Sequence, residues 1–225
     1  MKRLVLSFMF ALAGFAAAAQ EEAPTVNWPY LYPDFLEGEL RQNGGAVSKG
    51  KFNIHLGQGS LNLVEDGLIA EIPSLNILYV MIGDDLFRNV GGKMMKVLAE
   101  SDKGFVVEET LADYSAVVRD DGAFGGGLGN SAKGFSYDEN YGSYGYLVTN
   151  VYEDLYSIRN EAEELPVTVK MYLMIDGMPV VAGRKTVSAL DGVDKKAFSD
   201  FLKKEKIDWK APLDMLKVID YVAGL

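Results

Sequence analysis

Apolar and polar residues alternate along residues 51–98 with the period of a strand. Phe52, Ile54 and Leu56 fall on one face and Lys51, Asn53 and His55 on the other, since successive side chains of an extended chain point to opposite sides. Leu61-Asn62-Leu63 repeats the pattern, and Glu65-Asp66-Gly67 follows it. An Asp-Gly pair predicts a hairpin because both central residues of that turn need positive φ. Residues 68–72 resume the strand until Pro73, which cannot donate to a ladder. Residues 77–82 are apolar on both faces and predict a central strand covered on both sides. Gly83-Asp84 and Gly91-Gly92 then turn the chain into residues 86–88 and 94–98. These gaps are too short for crossover helices, so the sheet is expected to be an antiparallel meander of hairpins.

The same period returns in residues 104–109, while residues 111–118 fit either a strand or a short helix. Residues 122–145 are rich in Gly, Ser, Asn and Tyr and predict a long excursion. Strand character returns at residues 146–151, and residues 158–164 read as an acidic loop or one helical turn. Residues 167–175 alternate with the odd-numbered side chains facing the core, and Asp176-Gly177 turns them into residues 179–182. The period then changes. Ala197, Phe198, Phe201 and Leu202 share one helical face. Pro212 suits a first helical turn, Leu213, Leu216, Ile219 and Val222 follow at i, i+3 spacing, and Gly224 closes the helix. The expected fold class is α+β: an antiparallel β-sheet meander with a C-terminal pair of helices (194–223) packed on it.

The first residues read differently. Lys2-Arg3, an apolar run over residues 4–15, and Ala17-Ala18-Ala19 before Gln20 make a secretory signal peptide. The run is short of the ~20 residues a membrane-spanning helix needs. The expected organisation is therefore a signal peptide over 1–19, cleaved between Ala19 and Gln20. A single β-rich domain over 20–225 follows, with no transmembrane segment left after cleavage. The 225 residues carry a formal charge of −10, and losing Lys2 and Arg3 makes it two units more negative. So acidic a chain argues against nucleic acid as a partner. There are no cysteines. An exported product then lacks a disulfide framework and a lipid-attachment cysteine, and is expected to be soluble, in the periplasm or outside the cell.

Few residues carry chemistry. His55 is the single histidine and lies on the polar face of a predicted strand, with no Gly-x-Ser-x-Gly elbow to partner it; it reads as surface. Asp84-Asp85 and Asp120-Asp121 are paired carboxylates at turns, where aspartate is at home through local hydrogen bonds. Neither pair has the alternating acids of a calcium loop, and no metal or cofactor is expected. Gly127-Leu128-Gly129-Asn130-Ser131-Ala132 fits a dinucleotide pattern, but no apolar strand leads into it. The aromatic residues are the better candidates. Trp28, Tyr30 and Tyr32 stud the leader, and Tyr137, Tyr141 and Tyr144 stud the glycine-rich stretch. Such rings give large contact area at low entropy cost, so these six are the candidate ligand-binding residues. The competing reading is that the rings pack on the sheet.

The order of features resembles a family of exported proteins of unknown function from Bacteroidetes bacteria. The resemblance rests on residues 32–38 (Tyr32-Pro33-Asp34-Phe35-Leu36-Glu37-Gly38), 52–56 and 82–87, and on 201–209, ending Ile207-Asp208-Trp209. It covers most of the chain beyond the signal except the glycine-rich middle. It implies export and fold, and carries over no functional residue. The sequence thus points to an exported, non-catalytic binding or structural protein of the cell envelope, with a glycan or an envelope protein as partner. The alternative is a glycan hydrolase working through carboxylates.

Overall fold

The computed structural model describes residues 25–26, 28–112 and 165–225. Eleven strands lie among them: β1 (Thr25–Val26), β2 (Leu36–Gln42), β3 (Val47–His55), β4 (Ser60–Glu65), β5 (Leu68–Ile72), β6 (Ile77–Ile82), β7 (Asp85–Val90), β8 (Lys93–Glu100), β9 (Gly104–Ala112), β10 (Leu165–Ile175) and β11 (Met178–Val181). A short α1 (Arg184–Val187) and two longer helices, α2 (Lys195–Glu205) and α3 (Pro212–Val222), follow. Every pairing is antiparallel, in the order β1-β10-β9-β8-β7-β6-β2-β3-β4-β5, with β11 also on β10. The α+β class expected from the sequence is therefore the observed one.

The meander is broken twice: β1 lies beside β10 at one edge, and a second break follows β5. After β5 the chain returns to pair β6 with the far side of β2. In a flat sheet β5 and β6 would lie four strand spacings apart, about 19 Å at ~4.8 Å each. Only Pro73 and the 3₁₀ turn Ser74–Asn76 join them, and such a turn rises only ~2 Å per residue. The sheet must curl, and it does. The turn after β3 hydrogen-bonds to the start of β8 (Met94 N–H to Gly59 O, 2.8 Å) and the end of β9 (Ala112 N–H to Leu56 O, 3.0 Å). The curl encloses Leu40, Phe52, Ile54, Leu61, Val80, Phe87 and Met94 as one core.

A second core lies where α2 and α3 cover β9 and β10, around Val106, Leu173, Phe198, Met215 and Ile219. Here Met171, Leu173 and Ile175 face the helices as the alternation predicts, but Tyr172 and Met174 pack on the opposite face and Val169 is 46 % exposed. Asp194 caps α2 by accepting the Ala197 N–H at 2.7 Å, so Ala197 sits in the exposed first turn rather than on the buried face. The face of α3 is also corrected. Met215, Val218 and Ile219 are buried and Leu213 is 71 % exposed, because Leu213 follows Pro212 at the helix start and points away from the sheet.

Nor is β6 covered on both faces. Val80 and Ile82 are buried, whereas Leu78 is 50 % exposed. The register on β2 skips Leu78, with Gln42 opposite Ile77 and Arg41 opposite Tyr79. This bulge lets Ile77 and Val80 point inward together.

Candidate functional site

The leader before β2 builds the site. Tyr30 bridges to His55, the Leu31 N–H donates to Ile54 O at 2.9 Å, and the Leu56 N–H donates to Pro29 O at 2.7 Å. The leader therefore takes β2's place beside the last residues of β3. Between the two ladder segments the chain bulges outward, and Asn53 fills the gap. Its Oδ1 accepts from the Tyr32 and Ile54 N–H groups at 3.0 and 2.9 Å, and its Nδ2 donates to Tyr32 O and Asp34 O, both at 2.9 Å. The Trp28 Nε1–H also donates to Tyr32 O at 2.9 Å. Asn53 is fully buried, although alternation places it on an outer, polar face. That face is covered because the leader lies over it, and the amide replaces the backbone partners missing at the bulge.

The clamp aims the Tyr32 side chain into a cleft of about 130 Å³ between the leader and strands β7–β9. Its polar lining is Tyr32, Asp85, Lys96, Glu108 and Thr110, and its apolar walls are Leu31, Ile54, Phe87 and Met94. The Tyr32 hydroxyl donates to Asp85 Oδ2 at 2.5 Å, and the Lys96 ammonium sits 2.8 Å from Asp85 Oδ1. Burial, the largest single influence, pulls the Asp85 carboxyl upward. The hydrogen bonds from Lys96 and Tyr32 and the Lys96 charge together outweigh it and hold the group below its ordinary value. Burial first, then the bond to Asp85 and its charge, pushes the Tyr32 hydroxyl far above its ordinary value. At neutral pH the site therefore holds a carboxylate, an ammonium and a neutral phenol.

A parallel arrangement occupies the other face of the same strands. Lys93 contacts Glu109 Oε1 at 2.6 Å and the Tyr172 hydroxyl donates to Glu109 Oε2 at 3.0 Å. Glu109 is buried on the face of β9 that also carries Val107, so this trio ties β8, β9 and β10 together. Burial, then the bond to Glu109 and its charge, raises the Tyr172 hydroxyl.

Of the leader aromatics, Tyr32 alone lines the cleft. Trp28 and Tyr30 are each 5 % exposed and pack with Phe35 and Ile69, which fits the packing alternative for those two rings. Tyr137, Tyr141 and Tyr144, the acidic pair Asp120-Asp121, the glycine motif at 127–132 and the Ala19–Gln20 junction lie outside the described residues. The other acidic pair splits: Asp84 is exposed in the turn after Gly83, while Asp85 opens β7 and reaches the cleft. His55 is half-buried rather than a free surface group. Its ring meets Tyr30 edge-on at 5.3 Å, its Nδ1 accepts the Gly57 N–H at 3.2 Å, and burial lowers its pKa to about 4.

Sequence reasoning missed Asn53, Lys96, Glu108 and Thr110. Asn53 carries no local signal, since it falls in step with Lys51 and His55 on the polar face of its strand; the others sit on neighbouring strands that sequence alone does not juxtapose. Among the described residues no cluster of three or more histidines and carboxylates is placed to hold a metal ion, and no helix is long and apolar enough to cross a membrane. No protein family, curated protein or solved structure matches the chain.

Proposed function

We propose that the protein is an exported, non-catalytic binding protein of the cell envelope that recognises a glycan or envelope partner through the Tyr32 cleft. The tyrosine-rich stretch 122–145 is the second contact that the sequence suggests. The signal-like N-terminus and the resemblance to exported Bacteroidetes proteins support export. The observation that carries the binding reading is the Asp85 carboxylate, held between Lys96 and Tyr32 in a partly open cleft. A group fixed in this way is pre-organised for recognition, since its geometry needs no rearrangement when a ligand arrives.

A second reading, hydrolysis of a glycan, draws on the presence of Asp85 and Glu108 in one cleft. Cleavage needs one carboxyl of such a pair protonated as the general acid, and Lys96 and Tyr32 favour the ionised form of Asp85.

One experiment separates the two. The chain is recovered from the periplasmic or culture fraction, its N-terminus is sequenced, and it is applied to a glycan array with product analysis. The expected result is a start at Gln20 and binding to a subset of glycans that stay intact, weakened by Tyr32→Ala. Released sugar favours the hydrolase. A cytoplasmic product retaining residues 1–19 overturns the envelope assignment.

A further inference from the structure

We propose that the Tyr32 cleft binds a primary ammonium group carried on a short aliphatic stem. This names the ligand chemistry of the site above and rests on reading the molecule as a binder.

The charge pattern of the cleft is uneven. Three ionised side chains line the cleft: Asp85, Glu108 and Lys96. Lys96 stands directly opposite Glu108 in the β8–β9 register, yet its ammonium lies 2.8 Å from Asp85 Oδ1. The other lysine of β8, Lys93, is on the opposite face and is held by Glu109 at 2.6 Å. Both cations of that strand are thus committed elsewhere. The Glu108 side chain makes no hydrogen bond or ion pair with the described residues, and the residue is partly buried. Thr110 stands two residues further along the same face of β9 and lines the cleft beside it. The cleft therefore has a residual negative charge, located on a carboxylate that points into it.

The rest of the lining selects the ligand. An anion would meet Glu108 and find Lys96 already neutralised. A neutral polyol would leave Glu108 without a charged partner and would lie against Ile54, Phe87 and Met94, which offer no hydrogen bonds. An ammonium can donate to Glu108 and to Thr110, and charge-assisted bonds of this kind are the stronger class. Its methylene stem fits the apolar wall. The volume is compatible: about 130 Å³ is well above the ~10–15 Å³ that one water needs, so the cleft admits a small organic cation. Lysine-like side chains and amino sugars both present primary ammonium groups, and the stem separates them.

The test is calorimetric titration of the exported chain, at low and high salt, with n-butylammonium, Nα-acetyl-lysine amide, glucosamine and n-butanol. The expected result is binding of the first two, weakened severalfold by salt because the contact is partly exposed, with glucosamine weaker and n-butanol silent. Glu108→Gln should weaken butylammonium at least tenfold, Thr110→Val less, and the exposed control Asp102→Asn not at all. Near-UV circular dichroism checks that each variant keeps its packing, and the salt dependence of the unaltered chain tests the same contact without any substitution. Equal binding of n-butanol, tighter binding of glucosamine, or undiminished binding by a folded Glu108→Gln variant overturns the proposal. If the amines fail while the glycan array is positive, only the ammonium inference falls. If both fail, the binding reading falls with it.

Discussion

Asn53 shows how one side chain can replace a stretch of regular ladder. Its amide makes four hydrogen bonds to the leader and to its own strand, and no water reaches it. Asn53→Ala removes the clamp and leaves the Tyr32 N–H without its partner. The Tyr32 carbonyl keeps the bond from Trp28. Each buried polar group left unpaired costs about 1–3 kcal/mol, so the expected loss is about 2–4 kcal/mol in urea unfolding at neutral pH. Tyr32 should loosen at the same time, giving a second readout: the Asp85 carboxyl should titrate at higher pH in the variant, as followed by carboxyl ¹³C shifts. A variant as stable as the parent, with Asp85 unmoved, would mean that the leader is held by its apolar contacts alone. Alternation correctly put Phe52 and Ile54 in the core. It could not show that Asn53 faces a second, equally dry layer, because the covering segment lies some twenty residues upstream.

At the scale of elements, the most legible parts were those fixed by neighbouring residues. The turns at Asp66-Gly67 and Asp176-Gly177 have positive φ at both positions, as Asp-Gly hairpins require, and Pro212 opens α3. Less legible were features that depend on distant strands. The bulges at Leu78 and Leu98 shift which side chains point inward and leave no mark in composition. The return of β6 to β2 is set by the curl of the sheet, not by any local pattern. Gly38 and Gly50, paired across β2 and β3, are a further case. A Cβ on Gly38 would collide with the Met81 carbonyl oxygen and come within 2.8 Å of the Phe52 ring. One on Gly50 would clash with the end of Leu63, at 2.6 Å, and only touch the Phe52 ring, at 3.6 Å. The two glycines make room for the Phe52 ring, and they are not equivalent. Gly38→Ala should cost about 1–3 kcal/mol, as overpacking against backbone does, while Gly50→Ala should cost less because a leucine methyl can swing away. Thermal unfolding of the pair ranks them, and the reverse order would refute the close-approach account.

For the molecule as a whole, acidification sets two effects against each other. The formal charge of −10 at neutral pH means that protonation of surface carboxylates relieves self-repulsion, and the isoelectric point is near 4.7. On that ground alone stability would rise as pH falls. His55 acts in the opposite direction. Burial lowers its pKa from 6.5 in the unfolded chain to about 4 in the fold. Because the folded form is the weaker proton binder, the contribution of neutral His55 is complete above pH 6.5 and is lost as pH falls toward 4. One pKa unit is worth about 1.4 kcal/mol, so the loss by pH 4.5 is about 2–3 kcal/mol. That exceeds what diffuse surface repulsion returns, because those charges are screened by solvent and salt. The protein should therefore be most stable near neutrality rather than at its isoelectric point. Urea unfolding from pH 7.5 to 4.5 should show a falling free energy for the parent and a flat or rising one for His55→Gln. The slope should also be independent of salt, which separates desolvation of one imidazole from the field of the whole surface. Equal slopes in the two proteins would mean that His55 is hydrated, and that the leader does not seal the end of β3.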